Sequence, residues 1–225
     1  MIRNIALGEI YHLYNRGVNS QIICLDDNDR RRLLFVLLHC QSSLPFNRNL
    51  DLYLSSRNSN NNFNVTRKAR EKIIAERLVK LINFCIMGNH FHISVQEKTE
   101  GGISKYMQRV LNSYTKYFNK RHKRKGHLFE GPYKLVHVKS NTQLLHLSAY
   151  IHRNPRDMRE WRNHEYDYPW SSCQDYVGSN RFGELLDRSI VIDQFPSNAS
   201  YKKFLSTSTA KVHGTELGET HFFED

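Results

Sequence analysis

Two histidines separated by one residue, His90 and His92, are the side chains best suited to bind a metal ion in this 225-residue sequence. They follow the turn pair Gly88-Asn89 and lie in a short alternating run that is typical of a β-strand. Alternate side chains of a strand leave the same face about 7 Å apart, so both imidazoles can bind one divalent metal ion. For an isolated His-x-His pair, a half-buried strand with two hydrogen-bonded histidines is the more common explanation. The metal site therefore depends on what other residues contribute.

A tyrosine and an asparagine one helical turn apart, Tyr150 and Asn154, supply two further functional groups. Residues at positions i and i+4 lie on the same face of a helix. Asn154 can complete a three-ligand site that leaves positions open for a phosphate oxygen, and the phenol of Tyr150 can attack that phosphate. Taken singly, each residue has an ordinary explanation. Tyr150 could be a packed helix tyrosine, and Asn154 could be the last helical residue before Pro155. Their occurrence together favours the catalytic interpretation.

Other residues compete for these roles less well. Tyr114 and Tyr117 are alternative nucleophiles, but neither is followed by an asparagine or glutamine four residues later. Helix packing or base stacking therefore explains them better. His152, between Tyr150 and Asn154, is a weaker candidate for a proton or phosphate contact.

The formal net charge of +11 is concentrated in one part of the chain. Residues 101–139 contain ten lysines and arginines against a single acidic residue, Glu130, and six aromatic residues are interleaved with them. Such a field favours a polyphosphate partner, and the aromatic rings suit unpaired bases. The alternative is a solvated basic helix without a partner.

Length and composition exclude several classes of protein. The chain is long enough for one large domain with a real core. No apolar run approaches the roughly 18 residues needed to span a membrane, and the N-terminus lacks the apolar core of a signal peptide, so a cytoplasmic protein is expected. The four cysteines are widely spaced, which predicts reduced, packed thiols and neither a disulfide framework nor a zinc ribbon.

The elements that would position these side chains can be assigned from periodicity and capping residues. Strands are predicted over residues 9–15, 82–87, 91–95 and 134–138, and helices from 28 to 40, 66 to 80, 103 to 120 and 141 to 154. Residues 21–25 continue or pair with the first strand. This order predicts an α+β fold, a ferredoxin-like split βαβ sandwich with an antiparallel sheet and an added helix. Residues 42–64 read as a long, partly disordered insertion, and the tail after Ser197 as loosely held.

Five segments carry a resemblance to a known family. They are YHLYNRG (11–17), MGNHFH (87–92), GHLFEGPYK (126–134), AYIHRNP (149–155) and YPWSSCQDY (168–176). In these the sequence resembles the single-tyrosine HUH transposases and, within them, the REP-associated tyrosine transposase branch. The His-hydrophobic-His pair with a downstream Tyr-x-x-x-Asn is the most specific feature. Pro132 departs from the pattern, because a basic residue is usual there.

The resemblance implies a domain over residues 1–180 with the HUH transposase fold, an insertion near 42–64, and a C-terminal extension of further helices over 181–225. It implies that His90, His92 and Asn154 bind Mg²⁺ or Mn²⁺, and that Tyr150 forms a 5′-phosphotyrosine with hairpin-containing single-stranded DNA. A monomer or a homodimer is compatible with it. The side chains expected to hold DNA phosphates are Arg16, Lys116, Lys120, Arg121, Lys123, Arg124 and Lys125. The alternative function is a non-catalytic module that binds single-stranded nucleic acid.

Overall fold

A computed structural model describes residues 5–45 and 67–208 of the chain. Most of the predicted insertion near 42–64 lies outside the described residues, as do residues 209–225 of the C-terminal extension.

One four-stranded antiparallel sheet forms the centre of the fold. Its strands are β1 (Ile10–Arg16), β2 (Val79–Ile86), β3 (His90–Glu97) and β4 (Lys134–His137), in the spatial order β2-β3-β1-β4. All three neighbouring pairs are antiparallel. This is the order expected of the split βαβ arrangement, and the predicted α+β fold is confirmed.

Helices cover both faces of the sheet. They are α1 (Asp27–His39), α2 (Arg67–Ala75), α3 (Gly102–Arg121), α4 (Asn141–Arg153), α5 (Cys173–Val177), α6 (Ser189–Ile192) and α7 (Asn198–Thr207). Helices α1 and α3 pack on one face, and α4 packs on the other with the short C-terminal helices around it. The predicted helix boundaries agree closely for α1, α3 and α4.

The alternation of side chains along β1 and β3 divides the sheet into an apolar face and a polar face. Leu13 pairs with Ile93 and faces the core under α1 and α3, whereas the next pair, Tyr14 and His92, faces α4. Because directly opposed residues share a face, β1 also brings His12 to the face that carries the histidine pair. The sheet therefore gathers the polar residues of two distant segments beneath α4.

Two local predictions differ from the structure. The helix predicted over 66–80 ends at Ala75, because the backbone amides of Leu78 and Val79 donate to the Gln41 carbonyl and the chain then enters β2. Residues 21–25 form no strand. Instead, the amides of Ile23 and Cys24 both donate to the Gly88 carbonyl in the hairpin turn. In both places tertiary hydrogen bonds override local propensity.

The segment after Ser197 was predicted to be loosely held, and for residues 198–208 this is wrong. The Ser197 side chain accepts from the Ser200 amide and caps α7. Tyr201 and Leu205, one turn apart, are buried against the core. The apolar i, i+4 pair explains why this helix packs against the core.

The cysteines agree with the sequence analysis. All four lie within the described residues, are buried and form no disulfide. Burial raises the pKa of the Cys24 and Cys40 thiols to about 12, so both stay protonated. Across residues 5–45 and 67–208, no helix has the length and apolar character needed to cross a membrane.

Candidate active site

The predicted histidine pair lies at the start of β3, directly after the hairpin turn. The two imidazole ring centroids are 5.1 Å apart. The Nδ1 atom of His90 lies 2.7 Å from the Asn89 side-chain oxygen. Because an amide oxygen can only accept, Nδ1 carries the proton and Nε2 of His90 presents a lone pair.

Asn154 follows the last residue of α4 and is buried beside His90. Its Nδ2 donates to the Tyr150 carbonyl at 3.0 Å, which turns Oδ1 towards the histidine pair. This oxygen lies 3.5 Å from Nε2 of His90. Two lone pairs therefore converge on one point, an arrangement that a cation would satisfy.

Tyr150 completes the predicted constellation from the same helical face. Its ring meets the His92 ring edge-on, with centroids 5.5 Å apart and an interplanar angle of 88°. The side chain is only 3% exposed. All four predicted residues are thus brought together, and the tyrosine lies behind the histidine pair.

A residue missed by the sequence analysis, His12, lies in the same cluster. Its Nε2 is 3.0 Å from Nδ1 of His92, and the two rings are stacked with centroids 5.2 Å apart. The ring of Tyr14 stacks on both histidines. The YHLYNRG segment contains His12, but only the pairing of β1 with β3 shows that it lies against His92.

The donor set fits a divalent metal ion. Two imidazole nitrogens and one amide oxygen supply three protein donors, which leaves further positions for substrate or water. In the described part of the chain, no group of three or more histidine, cysteine, aspartate or glutamate side chains could hold a metal ion. The amide oxygen of Asn154 is therefore needed to make a three-ligand site here.

An active-site cleft of about 400 Å³ opens beside the histidine pair. Arg16, which pairs with His90 across the strands, and Lys134 give it positive charge, while Glu130 and Asp157 oppose them. Further lining residues are Tyr14, Asn15, Met87, Asn89, Phe91, His92, Pro132 and Met158. The cleft places Arg16, a predicted DNA contact, next to the metal candidates, and Lys134 is a further cation of the cleft that the sequence analysis did not single out.

A second concavity, the basic groove, runs between α1 and α3 on the opposite side of the sheet and measures about 590 Å³. It gathers three of the predicted DNA-binding residues with two arginines of α1 that were not predicted. Its lining is Asn28, Arg31, Arg32, Ser113, Lys116, Tyr117, Lys120 and Arg121. The turn after α3 adds the exposed Lys123 and Lys125.

Two of the predicted DNA contacts have partners inside the protein. The Arg121 guanidinium donates to Asp26 and to the buried Asp29 at the start of α1. This bond holds the pKa of Asp26 at about 2. Arg124 donates to the Asn119 side chain and the His127 carbonyl, which closes the turn after α3. Both arginines therefore contribute to the fold.

The competing tyrosines lie away from the cluster. The Tyr114 hydroxyl donates to the Ile23 carbonyl at 2.5 Å on the face covered by α1 and α3, and burial raises its pKa. Burial also raises the pKa of Tyr117, which lines the basic groove. These positions suit packing and stacking, as predicted.

The expectation for His152 is wrong. Its Nδ1 lies 2.7 Å from the Tyr201 hydroxyl and its Nε2 lies 2.8 Å from the Ser172 hydroxyl, so it faces α7. Complete burial lowers its pKa to about 3. His152 is two residues away from both Tyr150 and Asn154, which face the site. Because each residue of a helix is rotated by about 100° from the one before it, the His152 side chain points away from that face and into the core.

Sequence comparison relates the middle of the chain to a known family. Residues 57–154 match the model of a family described as "Transposase IS200 like". The matched segment contains the histidine pair, Tyr150 and Asn154. This segment is therefore similar to the IS200-like transposases, and the resemblance to a transposase recognised from the sequence is confirmed.

Structural comparison places the fold beside one particular transposase. The chain is similar to a solved structure described as a REP-associated tyrosine transposase bound to a REP hairpin, with a TM-score of 0.52. The two chains are 13% identical, and the likeness covers 79% of this chain and 84% of that one. At this identity the likeness establishes the shared fold. A comparison with curated proteins finds no match.

Proposed function

We propose that the protein cleaves and rejoins hairpin-containing single-stranded DNA through a 5′-phosphotyrosine on Tyr150, with Mg²⁺ or Mn²⁺ held by His90, His92 and Asn154. One observation carries the proposal. The Tyr150 ring contacts His92 while the amide oxygen of Asn154 faces His90, so nucleophile and ligand candidates meet at one point. The hairpin substrate is supported by the similar solved structure, which is described with a REP hairpin.

The chemistry requires one bond to form and one to break. The Tyr150 oxygen bonds to the scissile phosphorus and loses its proton to solvent, while the bond from phosphorus to the 3′ oxygen breaks and that oxygen takes up a proton. A bound divalent metal ion would polarise the phosphate and offset the charge that develops on it. Attack by a 3′-hydroxyl on the phosphotyrosine reverses the step and rejoins the strand.

Access to Tyr150 is a requirement of this mechanism. The side chain is buried and does not line the active-site cleft. DNA binding must therefore be coupled to a small displacement of the end of α4 or of the cleft wall that exposes the phenol. The fixed part of the site is β3, where the hairpin holds both imidazoles.

The rest of the chain would serve DNA binding and support. We assign the transposase domain to residues 1–180, with the insertion near 42–64, and a C-terminal extension to 181–225. The extension supports α4, since the Tyr201 hydroxyl bonds to Ser148 and His152 on that helix. The lysines of the basic groove and of the turn after α3 would hold DNA phosphates.

A covalent adduct tests the proposed function directly. Incubation of the full chain with labelled single-stranded hairpin DNA and Mn²⁺ is expected to give a protein-DNA species that survives a denaturing gel. Chelation of the metal should prevent its formation, and a single strand of the same composition without the hairpin should give less of it. If no hairpin substrate yields an adduct while gel shifts still show binding, the protein is a non-catalytic binding module instead.

The turn after α3 provides a second, separable test. Neutralising Lys123 and Lys125 together, the two exposed lysines of this turn, is expected to weaken binding of all single-stranded sequences alike, because their charges would meet phosphates and not bases. The slope of log affinity against log salt should flatten by up to about 0.7 for each lost contact. A salt titration of binding measures both effects.

Arg121→Gln is the matched control for that experiment. Its guanidinium already bonds to Asp26 and Asp29, so we expect this variant to lose about 2 kcal/mol of stability and to keep the salt dependence of the wild type. Thermal unfolding and the same titration separate the two effects. An unchanged slope in the variant that lacks both lysines would place the turn outside the DNA interface.

A further inference from the structure

We propose that His12 is a positioning residue for the metal site, which fixes the tautomer and direction of His92 by accepting a hydrogen bond from its Nδ1. The inference rests on the proposed function in one respect, the assignment of His92 as a ligand. It adds a residue of β1 to a site otherwise built from β3 and α4.

The geometry holds the two rings firmly. The Nε2 atom of His12 lies 3.0 Å from Nδ1 of His92, and the side chains are 1% and 3% exposed. The Tyr14 ring stacks on both, with centroids 5.0 Å from His12 and 5.6 Å from His92. The Tyr150 ring meets His12 edge-on at 6.1 Å, so the imidazole is enclosed on several sides.

The direction of this hydrogen bond decides what His92 presents to the site. When Nδ1 of His92 donates, its Nε2 carries a lone pair and can bind a metal ion. When Nδ1 accepts instead, Nε2 carries a proton and cannot. A ligand role for His92 therefore requires His12 to accept through Nε2 and to carry its own proton on Nδ1.

The other histidine of the pair is held in the same way. Nδ1 of His90 lies against the Asn89 side-chain oxygen, which can only accept, so Nε2 is left for the site. Asn89 and His12 thus perform one task for the two ligand candidates. Partners of this kind orient a ligand imidazole and raise its basicity, and their loss typically costs about 10- to 100-fold in metal affinity.

Three substitutions separate positioning from packing. Glutamine places an acceptor oxygen as far along the side chain as Nε2, asparagine places it at the level of Nδ1, and leucine removes it. We expect His12→Gln to bind Mn²⁺ nearly as the wild type does, and His12→Leu and His12→Asn to bind it about 10- to 100-fold more weakly in titration calorimetry. His39→Leu is the control, because His39 is an equally buried histidine on α1, outside the cluster.

A second readout needs no metal. In the metal-free, ¹⁵N-histidine-labelled full chain, the His92 ring should show the Nδ1–H tautomer, with its signal identified by comparison with His92→Gln. In His12→Leu this preference should weaken or invert. Thermal unfolding of each variant establishes that the fold is retained.

Two results would overturn the inference. One is unchanged Mn²⁺ affinity in a folded His12→Leu variant, and the other is equal affinity in the glutamine and asparagine variants. If the wild type itself binds neither Mn²⁺ nor Mg²⁺, the proposed metal site is wrong. The His92 tautomer, measured in the metal-free chain, then still shows whether His12 accepts the hydrogen bond from Nδ1 of His92. Failure of the proposed function and failure of this inference are therefore distinguishable.

Discussion

Tyr150→Phe is expected to form no covalent DNA adduct, while metal binding and DNA binding are retained. The substitution removes one oxygen and leaves the ring that packs edge-on against His92. Phenylalanine has nearly the same shape as tyrosine, so a folding defect would not mimic the result. Removal of the nucleophile should lower cleavage by more than about 10³-fold. Denaturing gels, gel shifts and thermal unfolding measure the three properties.

The other tyrosines serve as matched controls. Tyr114→Phe and Tyr117→Phe should still form the adduct, because both side chains lie on the side of the sheet covered by α1 and α3. Mass spectrometry of a trapped adduct should place the nucleotide on the peptide that contains Tyr150. An adduct mapped to either of the other tyrosines would contradict the assignment.

Geometry alone predicts from the sequence which site residues share a face within a single strand or a single helix. His90 and His92 share a strand face because the period of a strand is two residues. Tyr150 and Asn154 share a helical face because they are four residues apart. Neither rule predicts that β3 lies under α4. From the sequence, the proximity of these two elements could be inferred only through the resemblance to a transposase family.

Contacts between distant strands could not be derived in the same way. His12 touches His92 because β1 pairs with β3 in the register that sets Tyr14 opposite His92. A shift of one residue would move His12 to the apolar face. Composition and periodicity leave that register open, so a residue with a defined partner in the site was overlooked.

The hydrogen-bond partner of a polar or charged side chain also cannot be predicted from the local sequence pattern. In the sequence, Arg121 is one of several cations of a basic helix. In the structure, its guanidinium donates hydrogen bonds to Asp26 and to the buried Asp29 across the α1–α3 interface. His152 reads as a site residue because of its neighbours, yet Tyr201 and Ser172 hold it in the core. In both cases the fold brings together groups far apart in sequence, and their bonds outweigh proximity along the chain.

His90→Ala and His92→Ala are each expected to abolish metal-dependent cleavage while largely sparing DNA affinity. Each substitution would remove one of the three proposed donors, and the basic groove that is expected to carry most of the affinity lies on other elements. The two variants should differ in stability, because His90 is partly exposed at the cleft, whereas His92 is buried against Tyr150, Tyr14 and His12.

That difference makes His92→Gln the more informative partner of His92→Ala. The alanine variant leaves a cavity beside Tyr150 and should unfold more easily, by about 1–3 kcal/mol, whereas glutamine fills most of the space without an imidazole. Cleavage lost in a stable glutamine variant, together with lost Mn²⁺ binding in calorimetry, would reflect the missing ligand and not the fold. Undiminished cleavage in both His90→Ala and His92→Ala would rule out the metal assignment, and the mechanism would then have to stabilise the phosphate through Arg16 and Lys134 of the active-site cleft.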